Sequence, residues 1–167
     1  MRRLPPSAAL GVLVALLAAC DLPRDPAETL LRIQGRTMRV GIAVNPPWTT
    51  DSAGAHGGVE PALVRELAHE LKATVEWTSG GEGVLLPRLH TRDLDLVIGG
   101  LDAATPWAGK VGITRPYHTV REPERRELVW AVAPGENAWQ MRVERFLRAR
   151  RTRIDRMLTV ADSGAPP

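Results

Sequence analysis

Between Met38 and Gly100 the chain alternates short apolar runs with a stretch of helical periodicity, and this alternation limits the fold more than any other feature. "MRVGIAV", residues 38–44, is a short apolar run that stops at Asn45-Pro46-Pro47. Proline cannot donate to a sheet ladder and pushes the residue before it into extended backbone, so the run predicts a buried strand closed by a turn. "VEPALVRELAHELKA", residues 59–73, sets Leu63, Leu67 and Leu71 at i, i+4 and i+8 with Val64 and Ala68 beside them, the stripe of an amphipathic helix. Pro61 suits its first turn, and Glu60 sits where the positive end of the helix dipole favours a carboxylate, so Glu60 reads as a helix-start residue in preference to a ligand contact. "TVEWT", residues 74–78, predicts a second strand, and "VLLPRLHTR" a second helix in which Pro87 is tolerable only within the first turn. "LDLVIGG", residues 94–100, is a near-continuous apolar run that suits a parallel strand covered on both faces. The order β-α-β-α-β, with right-handed crossovers, gives an α/β fold: an open, mostly parallel sheet flanked by helices.

Beyond Tyr117 the pattern changes. "HTVREPERRE", residues 118–127, is charged and carries no stripe, "LVWAVAP" predicts a fourth strand, and residues 135–158 predict one long C-terminal helix. Trp139, Val143, Phe146 or Leu147, Ile154 and Leu158 make its apolar side. Its other side is arginine, which reads either as a solvated face or as a contact for anionic phospholipid head groups. "DSAGAHGG", residues 51–58, reads as a flexible loop.

The first twenty residues bear on compartment. Arg2 and Arg3 precede an apolar run from Ala8 to Ala19, too short to span a bilayer, and small residues lead into Cys20. Leu17-Ala18-Ala19-Cys20 resembles the lipobox of bacterial lipoproteins, which implies a signal peptide over 1–19, lipidation of Cys20 and a membrane anchor. Asp21 resembles an inner-membrane retention signal, which implies the periplasmic side of that membrane. Cys20 is the only cysteine, so no disulfide forms within one chain. The formal charge of +3 falls to +1 when Arg2 and Arg3 are subtracted, a balance that gives no reason to expect nucleic acid as a partner. The expected organisation is a signal peptide over 1–19, a polar tether over 20–36, one lobe over 37–160 and a disordered tail over 161–167.

"MRVGIAVNPPWTT", "GGVEPALVRELAHEL", "TVEWT", "LLPRLHTRDLDLVIGGL" and "KVGITRPY", in this order, resemble the first lobe of family 3 extracellular solute-binding proteins. These are type II periplasmic binding proteins that feed polar amino-acid ABC transporters. The likeness covers about residues 37–120, and "LVWAVAPGENAWQMRVERFL" is similar to the family's return strand and terminal helix. The resemblance implies two lobes closing on a small ligand, but "HTVREPERRE" stands where the second lobe belongs, which implies a single-lobe short form. It also implies a Thr and, three residues on, an Arg that pairs with a ligand carboxylate. Ala104 and Trp107 occupy those positions, so that clamp is missing.

Ligands of open α/β sheets approach the carboxyl ends of the strands. Trp48, Asp102, Thr105, Trp107 and Tyr117 are therefore the candidate ligand contacts, with Trp48 matching the family's aromatic after Pro-Pro. The other account of Trp48 and Trp107 is that they cover the sheet edge or the terminal helix. His56, His69, His90 and His118 lack metal-ligand spacing, and neither a nucleophile elbow nor a catalytic carboxylate pair is evident, so no metal, cofactor or enzymatic activity is expected. The expected function is capture of a small polar solute linked to an ABC permease or to sensing. The alternative is a reduced scaffold that binds a membrane or periplasmic protein and no solute.

Overall fold

A computed structural model describes residues 25–52, 54–121 and 124–162, with the side chains of 159–162 outside the description. The expected signal peptide, Cys20, Asp21 and residues 163–167 of the expected tail lie outside the described residues. In chain order the elements are α1 (Thr29–Ile33), β1 (Thr37–Ile42), β2 (Thr50–Ser52), β3 (Ala55–Gly57), α2 (Val59–Glu70), β4 (Thr74–Ser79) and α3 (Glu82–His90). There follow β5 (Leu96–Asp102), β6 (Gly112–Ile113), β7 (His118–Val120), β8 (Arg126–Val132), α4 (Asn137–Ala149) and α5 (Arg151–Asp162).

The sheet runs β4-β1-β5-β8-β6, with β7 also paired to β8. β1 is parallel to β4 and to β5, the product of the two right-handed crossovers through α2 and α3. β8 returns antiparallel against β5, and β6 and β7 add antiparallel to β8. Strand alternation sends side chains to two cores. Leu96, Ile98, Leu128, Trp130 and Val132 face one core with the stripes of α2, α4 and α5. Val97, Leu101, Val129 and Ala131 face the other with Leu85, Leu86 and Leu89 of α3. The sheet is therefore covered on both faces, as the apolar run of β5 requires.

Four local features differ from the sequence expectation. Residues 51–58 are not a free loop: β2 and β3 form a hairpin pairing Thr50 with Gly57 and Asp51 with His56. Gly54, at φ 83°, makes the turn, and its N–H donates to the Asp51 carboxylate at 3.0 Å. α3 begins at Glu82, so Pro87 is interior; the hydrogen bond it cannot make would go to Gly83, whose surroundings are open to solvent. The expected single C-terminal helix is two, broken at Arg150. A straight helix over 135–158 would be about 36 Å long at ~1.5 Å per residue. The break lets Ile154 and Leu158 return to the core, while Arg150 stacks on Phe146 at 3.9 Å and binds Glu66 at 3.1 Å. The stretch expected as tether is docked from Asp25 onward. Ile33 enters the core, and the N–H groups of Ala27 and Thr29 donate to the buried Glu136 carboxylate at 2.9 and 3.2 Å.

Asp95 fastens this docked segment to the sheet. Its carboxylate accepts from the Arg39 N–H at 2.8 Å, from Arg39 Nε at 3.2 Å and Nη2 at 2.8 Å, and from Arg32 of α1. Trp139 of α4 donates through Nε1 to the Asp95 carbonyl at 2.8 Å. Burial alone would raise the Asp95 carboxyl, but the hydrogen bonds from Arg39 and Arg32 outweigh it and hold it below the ordinary carboxylate range. An acid with a lower pKa folded than unfolded binds fewer protons in the native state, so its stabilisation is complete above about pH 4 and is lost as pH falls through the native value. Asp95→Asn is expected to cost about 2 kcal/mol at pH 7, given that both arginines are partly solvated. Thermal unfolding from pH 7 to pH 3 should show the wild type losing that margin below about pH 4 while the variant changes less.

Candidate functional site

The chain leaves β1 towards β4 on one side and later enters β5 on the other side of β1. The carboxyl ends of these strands are the topological switch point of the sheet, where α/β folds open a crevice. An open cavity of about 470 Å³ lies there, lined by Ala43, Val44 and Asn45 after β1, Gly80, Gly81 and Glu82 after β4, and Gly99 of β5. Its walls are tied by backbone hydrogen bonds from Ala43 to the Ile98 carbonyl at 2.9 Å and from Gly80 to the Ile42 carbonyl at 3.1 Å. Asn45 Nδ2 donates to the Gly99 carbonyl at 2.9 Å, and Thr49 Oγ1 accepts from the Asn45 N–H at 2.8 Å.

Gly99 and Gly100 shape this wall by having no side chain. A Cβ on Gly99 would lie 2.6 Å from that of Ala43, and one on Gly100 would lie 2.7 Å from the Trp48 ring. Gly100 also sits at φ 63°, in the left-handed region. The pairing of β5 with β8 shifts register between Val97 and Leu101, and the two glycine N–H groups turn instead to Glu60. One oxygen of the buried Glu60 carboxylate accepts from Gly99 at 2.7 Å and Gly100 at 3.0 Å. The other accepts from Trp130 Nε1 at 3.2 Å and from the Tyr117 hydroxyl. Burial pushes the Glu60 carboxyl up from its ordinary value, against the pull of its donors Tyr117, Gly100, Gly99 and Trp130. Burial and then the Glu60 charge push the Tyr117 phenol well above its ordinary value, so it remains a donor. Glu60 does stand in the first turn of α2, but its side chain serves the β5 loop as well as the helix start.

The five candidate contacts do not converge. Asp102 ends β5 and accepts from the Ala104 N–H at 2.9 Å. Thr105 accepts from the Trp107 N–H at 3.4 Å, and Trp107 packs on the α3 side of the sheet with Lys110 Nζ 4.9 Å from its ring. Trp48 and Tyr117 lie on the other side, in the core that holds α2 and α4. The sheet separates them from Trp107, so the three aromatics do not form one wall. Trp48 instead backs Gly100 and carries the Arg126 guanidinium 4.8 Å above its ring. Asn45, Glu82 and the backbone of Gly80, Gly81 and Gly99 were not singled out by side-chain chemistry. Their signal was position: each lies at or just after the end of an expected strand. Among the described residues no three His, Cys, Asp or Glu side chains gather as a metal group, and no helix is long and apolar enough to cross a membrane.

The sequence matches the family of bacterial extracellular solute-binding proteins, family 3, over residues 38–152. Among solved structures, the arginine-bound form of domain 1 from TmArgBP is similar with a TM-score of 0.61 and 22% identity, over 68% of this chain and 92% of that one. The ancestral cationic amino acid solute-binding protein AncCDT-1 gives a TM-score of 0.66 at 17% identity, over 81% of this chain and 98% of that one. A periplasmic binding protein of Salmonella typhimurium with high arginine specificity gives 0.63 at 12% identity, over 73% and 97%. AncCDT-1 is also described as a precursor of cyclohexadienyl dehydratase. No curated protein matches. At these identities the structural likenesses establish the fold.

Replacing Glu60 by Gln keeps the shape but turns an acceptor into a donor facing donors. Glu60→Gln is expected to cost about 3 kcal/mol, against about 1 kcal/mol for Tyr117→Phe, which removes one donor only. Chemical denaturation orders the two, and amide exchange at Gly99 and Gly100 should accelerate in Glu60→Gln beyond the change in global stability.

Proposed function

Because the chain belongs to the bacterial extracellular solute-binding proteins, family 3, we propose that it captures a small polar solute in the crevice at the carboxyl ends of β1, β4 and β5. The observation that carries this reading is a cavity at the switch point whose walls are mostly glycine and strand-end backbone, open to polar groups of a ligand. Glu82 on its rim, Asp102 at the end of β5 and Asp51, which accepts from Ser79 at the end of β4 at 3.0 Å, are carboxylates at this end of the sheet, and they favour a solute that carries an amine or guanidinium group. Ala104 and Trp107 provide no cation for a ligand carboxylate, which leaves Lys110, held on the Trp107 ring, to meet one. Thr105 and Trp107 complete the loop side. Trp48 and Tyr117 act from behind, through Gly100 and Glu60. That domain 1 of TmArgBP is described in an arginine-bound form supports capture by one lobe of this architecture.

The chain is further proposed to be a lipoprotein, joined to diacylglycerol at Cys20 and facing the periplasm from the inner membrane. Five Cα–Cα steps separate Cys20 from the docked Asp25, a reach of at most about 18 Å. The lobe would therefore stand close to the membrane, where an ABC permease would receive the solute. No reaction is assigned to the crevice; its role is non-covalent capture. The scaffold reading draws on the open side of the crevice, where Val44 is 53% exposed.

Thermal unfolding of the 25–162 fragment, which keeps α1, checks the solute reading. Arginine or lysine at about 100 times Kd should stabilise by about 2.7 kcal/mol. Glu82→Gln with Asp102→Asn should weaken binding about tenfold or more, as expected for losing charge-assisted hydrogen bonds. No shift with any amino acid, organic acid or small cation, alongside clean recovery of one membrane protein, would sink solute capture and leave the scaffold. Mass spectrometry of the mature amino terminus, with Cys20→Ser moving the chain to the soluble fraction, checks the anchor.

A further inference from the structure

The arginines of α4 and α5 fall into two groups. On the side facing α2 they are paired: Arg142 binds Glu70 at 2.6 Å, Arg150 binds Glu66 at 3.1 Å, and Arg153 binds Glu66 at 2.6 Å. On the side facing the edge segment before β7 they are not. Arg145, Arg148 and Arg151 are exposed and line a cavity of about 470 Å³, with Arg115 reaching it from the edge segment. No carboxylate lies within ion-pair distance of these three among the described residues. Glu144, the one acid of the cavity, is already engaged by Arg115, through its backbone N–H at 3.1 Å and its guanidinium Nε at 3.7 Å, and by Gln140 at 3.3 Å. Below the charged rim the lining is apolar: Pro116, the buried Leu147 and Met141, which is 46% exposed.

Arg145, Arg148 and Arg151 follow one another at i+3 spacing, so their charges repel along one side of the α4–α5 corner. On the α2 side, carboxylates relieve the same repulsion. Here no carboxylate of the described residues does so, which leaves the three charges to solvent or to an anion. A guanidinium fork matches two oxygens of a phosphate, and three such groups above an apolar floor suit an anion attached to an apolar or weakly polar body. We propose that this groove is a second binding site, separate from the crevice, for an organophosphate: a soluble phosphoester or the phosphate of a phospholipid head group. In the sheet it lies on the β6–β7 side, at the opposite edge from β4, so its occupation does not require an empty crevice.

The test uses the full chain, the double variant Arg145→Gln with Arg148→Gln, and a charge-matched control, Arg36→Gln with Arg156→Gln, whose residues lie outside the cavity. The soluble probe is glycerol 3-phosphate. The membrane probe is vesicles of phosphatidylcholine with one third phosphatidylglycerol, compared with pure phosphatidylcholine. Any contribution of the apolar amino terminus is common to all three proteins. At about 0.15 M salt, the wild type and the control should bind one of the two probes saturably, and the groove variant should lose about tenfold or more of that affinity. Binding of glycerol 3-phosphate assigns a free phosphoester, and binding of the anionic vesicles alone assigns a head group. Without any probe, the groove variant should unfold at the wild-type temperature or above it, because the two side chains support no ion pair. Absence of binding to both probes, retention of binding in the groove variant, or equal loss in the control would overturn the proposal.

Discussion

A carboxylate with no exposed surface needs donors, and Glu60 finds four of them in three separate parts of the chain. Two are amides of the glycine pair in β5, one is the Tyr117 hydroxyl ahead of β7, and one is the Trp130 indole in β8. Each element solves a problem for another. The register shift in β5 leaves two amides that β8 does not take, and the first turn of α2 brings the acceptor that takes them. The glycine pair is thereby held against Ala43 and Trp48, where any side chain would collide. The wall of the crevice thus rests on a buried polar network with all its members satisfied, the condition under which such networks specify one arrangement.

Local periodicity and strand chemistry made much of this legible before any coordinates. The leucine stripe of α2, the apolar run of β5 and the Pro-Pro stop after β1 depend on near neighbours in sequence, and the alternation of these signals is enough to give a parallel α/β core. The features that escaped depend on distant partners. Helix-dipole logic places a carboxylate at Glu60 but says nothing of donors 39 to 70 residues away. The docking of residues 25–36 turns on Glu136, more than a hundred residues downstream, and on a single isoleucine, too little for a pattern to reveal. The β2–β3 hairpin is short and mostly exposed, closed by one aspartate side chain.

The candidate site was legible in location and not in membership. Strand-end reasoning pointed to the edge of the sheet where the crevice opens, yet it favoured aromatic side chains, and two of these serve the core. Trp48, in the turn after β1, and Tyr117, just ahead of β7, pack into the core on the α2 side, whereas Trp107 packs on the α3 side. What lines the crevice is chiefly main chain, which has no signature in residue chemistry. The connection between β7 and β8 closes an antiparallel pair in register from His118–Leu128 to Val120–Arg126. A segment that in two-lobed proteins would lead away into a second body here turns straight back.

The clasp of residues 25–33 onto the lobe also has a mechanical side. Glu136 grips two of its amides, and Arg32 reaches Asp95, which in turn is held by Arg39 of β1. A load applied at the amino end is passed by these contacts into the start of α4 and the root of β1 and β5, far along the strands from the crevice. Tension in that direction would enter the lobe at the end of the strands opposite the glycine pair, so the pull and the crevice belong to different ends of the sheet.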